Sequence, residues 1–525
     1  MATLLSLLGK GFFPRELPPP FNTNSFATYA PTVAAGWSNA VKRTWTRCAT
    51  HNLARPGGLR RPLKIPNPIS YFVLADIIAS NWTTINDHTW TVRLSASRPY
   101  VIRRSPRSVV PRYRYSELSR LRALRRRGAR YLLRTDIDQF YPSIYTHAVP
   151  WALHTKSVCR AALTAPGGGA TLVGNQIDKA LQCMMDGQTH GIPIGPDTSL
   201  VVAEILLSSV DRSMLNAHPD LISGFRYVDD YELSFSKLSD GEQVLTELQG
   251  LLAEYELILN PRKTTLDSLP QSFEDTWGDE LGRFPVRGSG NPVAQRNDLI
   301  ALFNRAFEIA SERPQEPVLK YAVARVQNLA VSTAGWRTFQ NCILDAASAD
   351  PATLPVALGT LYQVAALGGH TVSRSPLAEV FESVIAVHAP RGQGSEVSWA
   401  LWGALAWNVA LSNEAAQSIS EMNDDIVALL ALDADSRGLF PTGALDTTAW
   451  SNLVSDTDAL KNEHWLLSYE ANQRGWLTTP AVATHSVFSA LSTAGVSFYD
   501  PLQASPQFPQ AGRGVPGGVL PDYYA

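Results

Sequence analysis

The stretch Phe225-Arg226-Tyr227-Val228-Asp229-Asp230-Tyr231-Glu232-Leu233-Ser234-Phe235 decides the reading of this chain. Its aromatic and apolar residues alternate on both sides of Asp229-Asp230, which predicts a β-hairpin with two carboxylates at its turn, presented rather than buried. Further back, Arg130 to Asp136 alternates like a strand and ends on a third carboxylate, Asp136, which adjacent strands would bring to the same place. Acids from more than one segment are the hard oxygen ligands that two Mg²⁺ ions about 4 Å apart require in phosphoryl transfer. A Tyr-x-Asp-Asp string alone arises by chance in roughly a few per cent of chains this long, so its place on a hairpin and its partnership with Asp136 carry the weight.

Around this centre the spacing predicts an α+β sheet domain. Tyr71 to Trp82 reads as a short apolar helix, and Ser116 to Arg127 as a helix with Leu118, Leu121 and Leu124 inward. Ser199 to Leu215 reads as a helix with Glu204, Ser208 and Asp211 on one polar face and the core on the other. Ser239 and Asp240 are suited to cap a helix with apolar residues at 244, 248, 251, 252 and 255, followed by a short strand, Leu257 to Leu259. The glycines and prolines between 278 and 292 place a boundary near 295. Beyond it helical spacing dominates, with Leu299, Phe303, Ala306 and Ala310 on one face and Leu319, Val323, Val326 and Ala330 on another. Helices at Trp399 to Val409 and Asp424 to Leu432 continue what reads as a stacked array without a repeat of fixed period. Pro14, Pro18, Pro19, Pro20 and Pro31 predict an N-terminal arm extended over the rest, and the last 25 residues a tail.

At 525 residues the chain has room for two to four domains. With 45% hydrophobic and 18% charged residues it is neither disordered nor fibrous. It lacks an apolar run of membrane-spanning length and a signal-peptide pattern, so no membrane partner and a cytosolic location are expected. Cys48, Cys159, Cys183 and Cys342 have no paired spacing, which argues against a disulfide framework or a zinc site. The net charge of −2 conceals an asymmetry: residues 1–135 hold 23 lysines and arginines against 4 acids, residues 136–296 hold 11 against 21, and residues 297–525 hold 11 against 22. The basic block is an electrostatic footprint for nucleic acid or nucleotide.

Four further stretches fall in order with Tyr227 to Asp230: Arg61-Pro62-Leu63-Lys64-Ile65-Pro66, Asp136-Ile137-Asp138-Gln139-Phe140-Tyr141, Gly191-Ile192-Pro193-Ile194-Gly195-Pro196-Asp197-Thr198-Ser199 and Asn260-Pro261-Arg262-Lys263-Thr264. Over residues 60 to 265 the chain thereby resembles the reverse transcriptases. The resemblance implies that Asp136, Asp229 and Asp230 bind Mg²⁺ at a two-metal site, with Mn²⁺ as a substitute, and that Tyr141 excludes a ribose 2′-OH. Arg61 and Lys64 would hold the incoming triphosphate, and Gly195 would sit in a turn beside template and nucleotide. Lys263 would act near the leaving pyrophosphate as general acid or charge stabiliser. Asp138 fits a turn or cap role better than a metal ligand. Ile194 stands where many relatives carry Gln.

The segments Leu74-Ala75-Asp76-Ile77-Ile78 through Trp82 and His464-Trp465-Leu466-Leu467-Ser468-Tyr469-Glu470, with the helical second half, resemble most the abortive-infection and defence-associated reverse transcriptases of bacteria. That implies a fingers and palm domain over 1–295, then an all-α, HEAT-like repeat domain over 296–525 with a flexible tail. It also implies a cytoplasmic bacterial DNA polymerase acting against phage as a homo-oligomer. Such an enzyme would use dNTPs and start single-stranded DNA on a protein tyrosine without a template, leaving the product covalently attached. Tyr29 on the arm and Tyr523 and Tyr524 on the tail are the tyrosines placed by their mobility to prime. The alternatives are a templated RNA-directed DNA polymerase of retron or group II type, with an RNA template or non-coding RNA as partner, and a non-catalytic nucleic-acid-binding scaffold. An RNA polymerase is a further rival, which Tyr141 opposes.

Overall fold

Strands β1 (Ala49–Ala54) and β2 (Arg60–Ile65) form one antiparallel hairpin, and β3 (Pro99–Tyr100) and β4 (Val110–Pro111) a second, minimal one. Strands β5 (Tyr131–Thr135), β6 (Ser223–Tyr227), β7 (Asp230–Phe235) and β8 (Thr265–Ser268) build a four-stranded antiparallel sheet in the order β6-β7-β5-β8. The structure, a computed structural model, describes residues 3–90, 93–165, 168–219 and 223–504.

Register in the larger sheet is set by apolar pairs. Leu133 lies opposite Leu233 on one side and Leu266 on the other, and Thr135 lies opposite Tyr231. Asp136, the next residue, is therefore level with the β6–β7 turn. The Leu238–Ala253 helix covers this sheet through Val244, Leu248 and Leu252, all fully buried and four residues apart. It starts one residue earlier than its expected caps, so Ser239 and Asp240 fall in its first turn, where Asp240 complements the helix dipole.

Besides Leu124, expected inward but exposed near the end of the Leu118–Arg125 helix, three expectations are corrected here. The strand expected at Leu257–Leu259 is an irregular link with one bridge, Leu259 to Ile137, and the fourth strand is Thr265–Ser268. Leu257 and Leu259 are buried and Ile258 exposed, and the segment bonds the chain just past β5 through Asp138 N to Ile258 O and Asn260 N to Asp136 O, but the pairing stops where that chain turns away at Gln139, with φ +43°. The arm is packed and largely helical, over Leu4–Lys10 and Asn24–Ala34. Burial of Phe12 and Phe26 outweighs the prolines, most of which lie between the two helices. The third concerns the Asp197–Ala217 helix, whose acids Glu204 and Asp211 are fully buried against Arg226 instead of lining a polar face.

From the Pro292–Glu312 helix onward, the described residues contain helices and no strand. Leu299, Phe303 and Ala306 line the buried face of that first helix. Later helices run Gly394–Trp407 and Asp425–Ser436, the second capped by Asp424, which accepts from the backbone of Ile426 and Val427. The N-terminal hairpin is fastened to these two helices. Arg60 forms a bidentate pair with Glu396, and His51 Nδ1 meets Asp424 at 2.9 Å. Phe12 stacks on Tyr71 with ring centroids 4.1 Å apart and packs against Trp465 and Phe498, so arm, first half and second half share one aromatic core. Among the described residues no helix is long and apolar enough to cross a membrane.

Candidate active site

The β6–β7 connection has two residues, Val228 and Asp229, between the paired Tyr227 and Asp230. A turn this tight calls for a positive φ, usually from glycine; here Val228 supplies it at +54°. Asp229 is half-buried on the turn and Asp230 exposed at the head of β7, as expected of presented carboxylates. Asp136, one residue past β5, is buried. Its backbone carbonyl accepts from Asn260 N at 2.8 Å, which brings the Asn260–Lys263 turn alongside. Lys263 Nζ then donates to Asp136 Oδ2, while Asp136 Oδ1 is buried with no hydrogen-bond partner.

The charges here do not balance. Although Asp230 as a residue is exposed, the crowding of protein around its carboxyl strips part of its hydration, and this loss, then the fields of Asp229 and Asp136, push it up to about 7. Asp229 is raised as well, by burial and by Asp136, against the lowering influence of Lys263 and Arg61. Although burial alone would lower the Lys263 ammonium, its hydrogen bond to Asp136 and the fields of the three acids hold it above its usual range. An orphaned carboxylate oxygen beside two mutually repelling carboxylates suits a hard divalent cation. Among the described residues no group of three His, Cys, Asp or Glu side chains is gathered closely enough to hold a metal ion, so Asp136, Asp229 and Asp230 do not form a ready-made cage.

Arg61, on β2, exerts its field on both Asp229 and Tyr141 and is brought to the site. Tyr141 follows Asp136 by five residues and lies beside Asp229; burial and that charge raise its hydroxyl well above the usual range. Lys64 is linked by its backbone N to Ile194 O at 3.0 Å, and its charge acts on the buried thiol of Cys48. Gly195 does not leave an open approach. A side chain there would begin 2.5 Å from Pro14 Cγ, so the arm fills the space its bare backbone was expected to offer a nucleotide. Tyr29 sits on the packed Asn24–Ala34 helix, 44% exposed, instead of on an extended arm. Tyr523 and Tyr524 lie outside the described residues. Asp138 is exposed, and its backbone carbonyl accepts from Ser143 Oγ at 3.3 Å, in keeping with a turn role.

Several neighbours escaped the sequence reading. A cleft of about 260 Å³ beside the acids is lined by Tyr115, Arg122, Arg134, Asp136, Asp230 and Lys263 among others. Tyr115 meets Tyr227 edge-on at 6.0 Å, and burial with the nearby acids raises its hydroxyl. Arg122 and Arg126 are drawn to Glu232 on β7. Arg55, in the β1–β2 connection, feels both Arg61 and Asp229. The dense arginines between 98 and 134 signalled a basic surface but not which members turn inward.

The family model described as reverse transcriptase (RNA-dependent DNA polymerase) matches residues 85–276, a span that holds every candidate acid, Tyr141, Gly195 and Lys263 but not Arg61 or Lys64. No curated protein matches the chain. Among solved structures, apo telomerase from Candida tropicalis is 10% identical, covering 77% of this chain and 73% of that one with a TM-score of 0.33. Telomerase from Candida albicans in complex with the TWJ fragment of telomeric RNA is 12% identical, covering 71% and 69% with a TM-score of 0.31. Residues 85–276 are a reverse transcriptase domain, and with it the chain carries the machinery of an RNA-directed DNA polymerase, a nucleotidyltransferase.

Proposed function

We propose that this polymerase acts in the bacterial cytoplasm in anti-phage defence, making DNA from dNTPs by protein-primed, template-independent synthesis. The observation that carries this reading is the arm seated over the Gly191–Ser199 loop. Arg107 donates to Phe13 O at 2.7 Å, to Gly195 O at 3.2 Å and to Asp197, fastening the arm where the family resemblance puts template and nucleotide. Ile194, in the place of a nucleotide-contacting Gln, points the same way. A HEAT-like stacking of the helices after Pro292 and a homo-oligomeric state belong to the same proposal.

Asp136, Asp229 and Asp230 would hold Mg²⁺, or Mn²⁺ in its place. A metal held there would supply Lewis-acid stabilisation of the charge that develops in the displacement. The chain's own residues do the rest. Lys263 offers a proton and a positive charge to the departing pyrophosphate, Arg61 offsets triphosphate charge, and Tyr141 stands against a 2′-OH. In the priming step a tyrosine oxygen attacks the α-phosphorus of a dNTP. The O–P bond forms, the α–β bridging bond breaks, pyrophosphate leaves, and the phenolic proton passes to water. Tyr29, Tyr523 and Tyr524 are the proposed priming residues, and the geometry adds Tyr115, in the cleft beside Asp136 and Asp230.

Purified protein given labelled dNTP and Mg²⁺ without primer or template tests this. Label that survives denaturation and maps to a tyrosine by mass spectrometry is the expected result. Incorporation only with added RNA template, released on denaturation, favours the retron or group II reading. No incorporation under either condition, with nucleic acid still bound, favours a scaffold.

A further inference from the structure

Val228 is β-branched yet holds φ +54°, a conformation that persists only where its surroundings over-determine it. Both polar groups of this residue are gripped. Its N–H donates to Ser97 Oγ at 2.7 Å, and its carbonyl accepts from a terminal nitrogen of Arg226 at 2.7 Å. The two grips meet at one carboxylate. Ser97 Oγ donates to Glu204 Oε1 at 2.6 Å, and the same Arg226 nitrogen donates to that oxygen at 2.8 Å. A closed ring of hydrogen bonds thus runs from Val228 N through Ser97, Glu204 and Arg226 back to Val228 O.

The ring is anchored from outside. Arg226 Nε donates to Asp211 Oδ2 at 2.9 Å. Backbone bonds from Arg226 N to Leu94 O and from Ala96 N to Arg226 O lay residues 94–97 along the free edge of β6. Ser97, Glu204 and Arg226 are fully buried. A buried ion network of this kind is weak evidence for stability, since well-packed apolar residues often serve as well; its attested use is to specify one geometry.

We propose that Ser97, Glu204 and Arg226 form a clamp that holds Val228 in its left-handed conformation and so aims Asp229 and Asp230 at the substrate. They are positioning residues, and the assignment rests on the polymerase reading of the site. If the clamp's task is to hold a conformation that valine resists, the need for it falls when residue 228 is glycine, which enters that region without strain.

The test is a double-mutant cycle of Ser97→Ala and Val228→Gly, read by dNTP incorporation and by amide hydrogen exchange over residues 225–231. In the valine background Ser97→Ala is expected to lower kcat about tenfold, to leave KM for dNTP within about twofold, and to speed exchange at the turn about tenfold. In the Val228→Gly background the same change is expected to lower kcat by less than about threefold. An equal loss in both backgrounds overturns the proposal, as does no loss in either or unchanged exchange at the turn. If Ser97→Ala does not fold, the nearly isosteric Ser97→Cys, with a weakly accepting sulfur, makes the same comparison. Exchange reads the clamp without catalysis, so an inactive wild-type protein would count against the polymerase reading alone, and an active one with a flat cycle against the clamp alone.

Discussion

Two sets of acids, one on the Asp197–Ala217 helix and one around the β6–β7 turn, are treated oppositely by their surroundings. Glu204 and Asp211 are fully buried, yet Arg226 reaches both, and the hydroxyls of Ser95, Ser97 and Tyr231 complete their shells. Burial would raise Glu204, but Arg226 and the two serines hold it below its usual range. Asp136, Asp229 and Asp230 are closer to solvent but have Lys263 and the field of Arg61 to offset three charges, and one oxygen goes without a partner. Compensation differs between the sets more than depth does: Arg226 holds Glu204 low even though burial keeps Asp211 raised, whereas the turn acids have less to offset them, and it is there that the proposed cation would be accommodated.

The comparison breaks first at the unbalanced set. Asp136→Ala and Asp229→Ala should each lower dNTP incorporation by about 10³-fold or more while the unfolding temperature holds or rises, because each removes a charge that repels its neighbours. Wild-type incorporation by both variants would mean that these acids are not the metal ligands. The balanced set should answer the other way. Arg226→Met leaves two buried carboxylates without a counter-charge and should cost about 3–5 kcal/mol in urea denaturation. A stability equal to wild type would show that the network is not compensated through Arg226.

A smaller effect is expected next to the site. Tyr141→Ala opens the space beside Asp229 and should raise rNTP incorporation relative to dNTP by about tenfold in competition assays. An unchanged ratio would place the sugar gate elsewhere. The smallest effect concerns an intermediate acid, Glu470, fully buried and bonded by Phe498 N and Ser497 Oγ but with its cation, Arg474, at 3.9 Å. Burial pushes its carboxyl from 4.5 up to about 7. With the folded value raised, its stabilising contribution is complete below about pH 4.5 and is lost as pH rises through about 7. Glu470→Gln should flatten that part of the melting-temperature profile by roughly a degree or two, and an unaltered slope would assign it to other groups.

The turn acids were legible because a hairpin announces itself locally: alternating aromatics around a polar pair need no distant information. Asp136 was legible for the same reason, as the polar end of an apolar strand. The pairing of Lys263 with Asp136 was not, because from spacing alone a lysine after a strand reads as a surface residue; what brings it in is a backbone bond between Asn260 and Asp136, 124 positions apart. The burial of Glu204 and Asp211 is not legible either, because their seven-residue spacing marks one side of a helix without saying that Arg226 lies opposite. The packing of the arm is not legible from its prolines, because what decides it is the burial of Phe12 and Phe26 against partners distant in sequence.

The sequence by itself determined the α+β sheet with its acidic turn, the reverse transcriptase motifs in their order and the helical character of the second half. Each of these is a periodicity or a short string whose meaning is carried by neighbouring residues. Only the tertiary structure decided which charges meet: Arg226 with Glu204 and Asp211, Arg60 with Glu396, Lys263 with Asp136, and Pro14 against Gly195. The physical reason is that the energy of a charge depends on its burial and its counter-charge, and both are properties of chain segments that pack together from far apart.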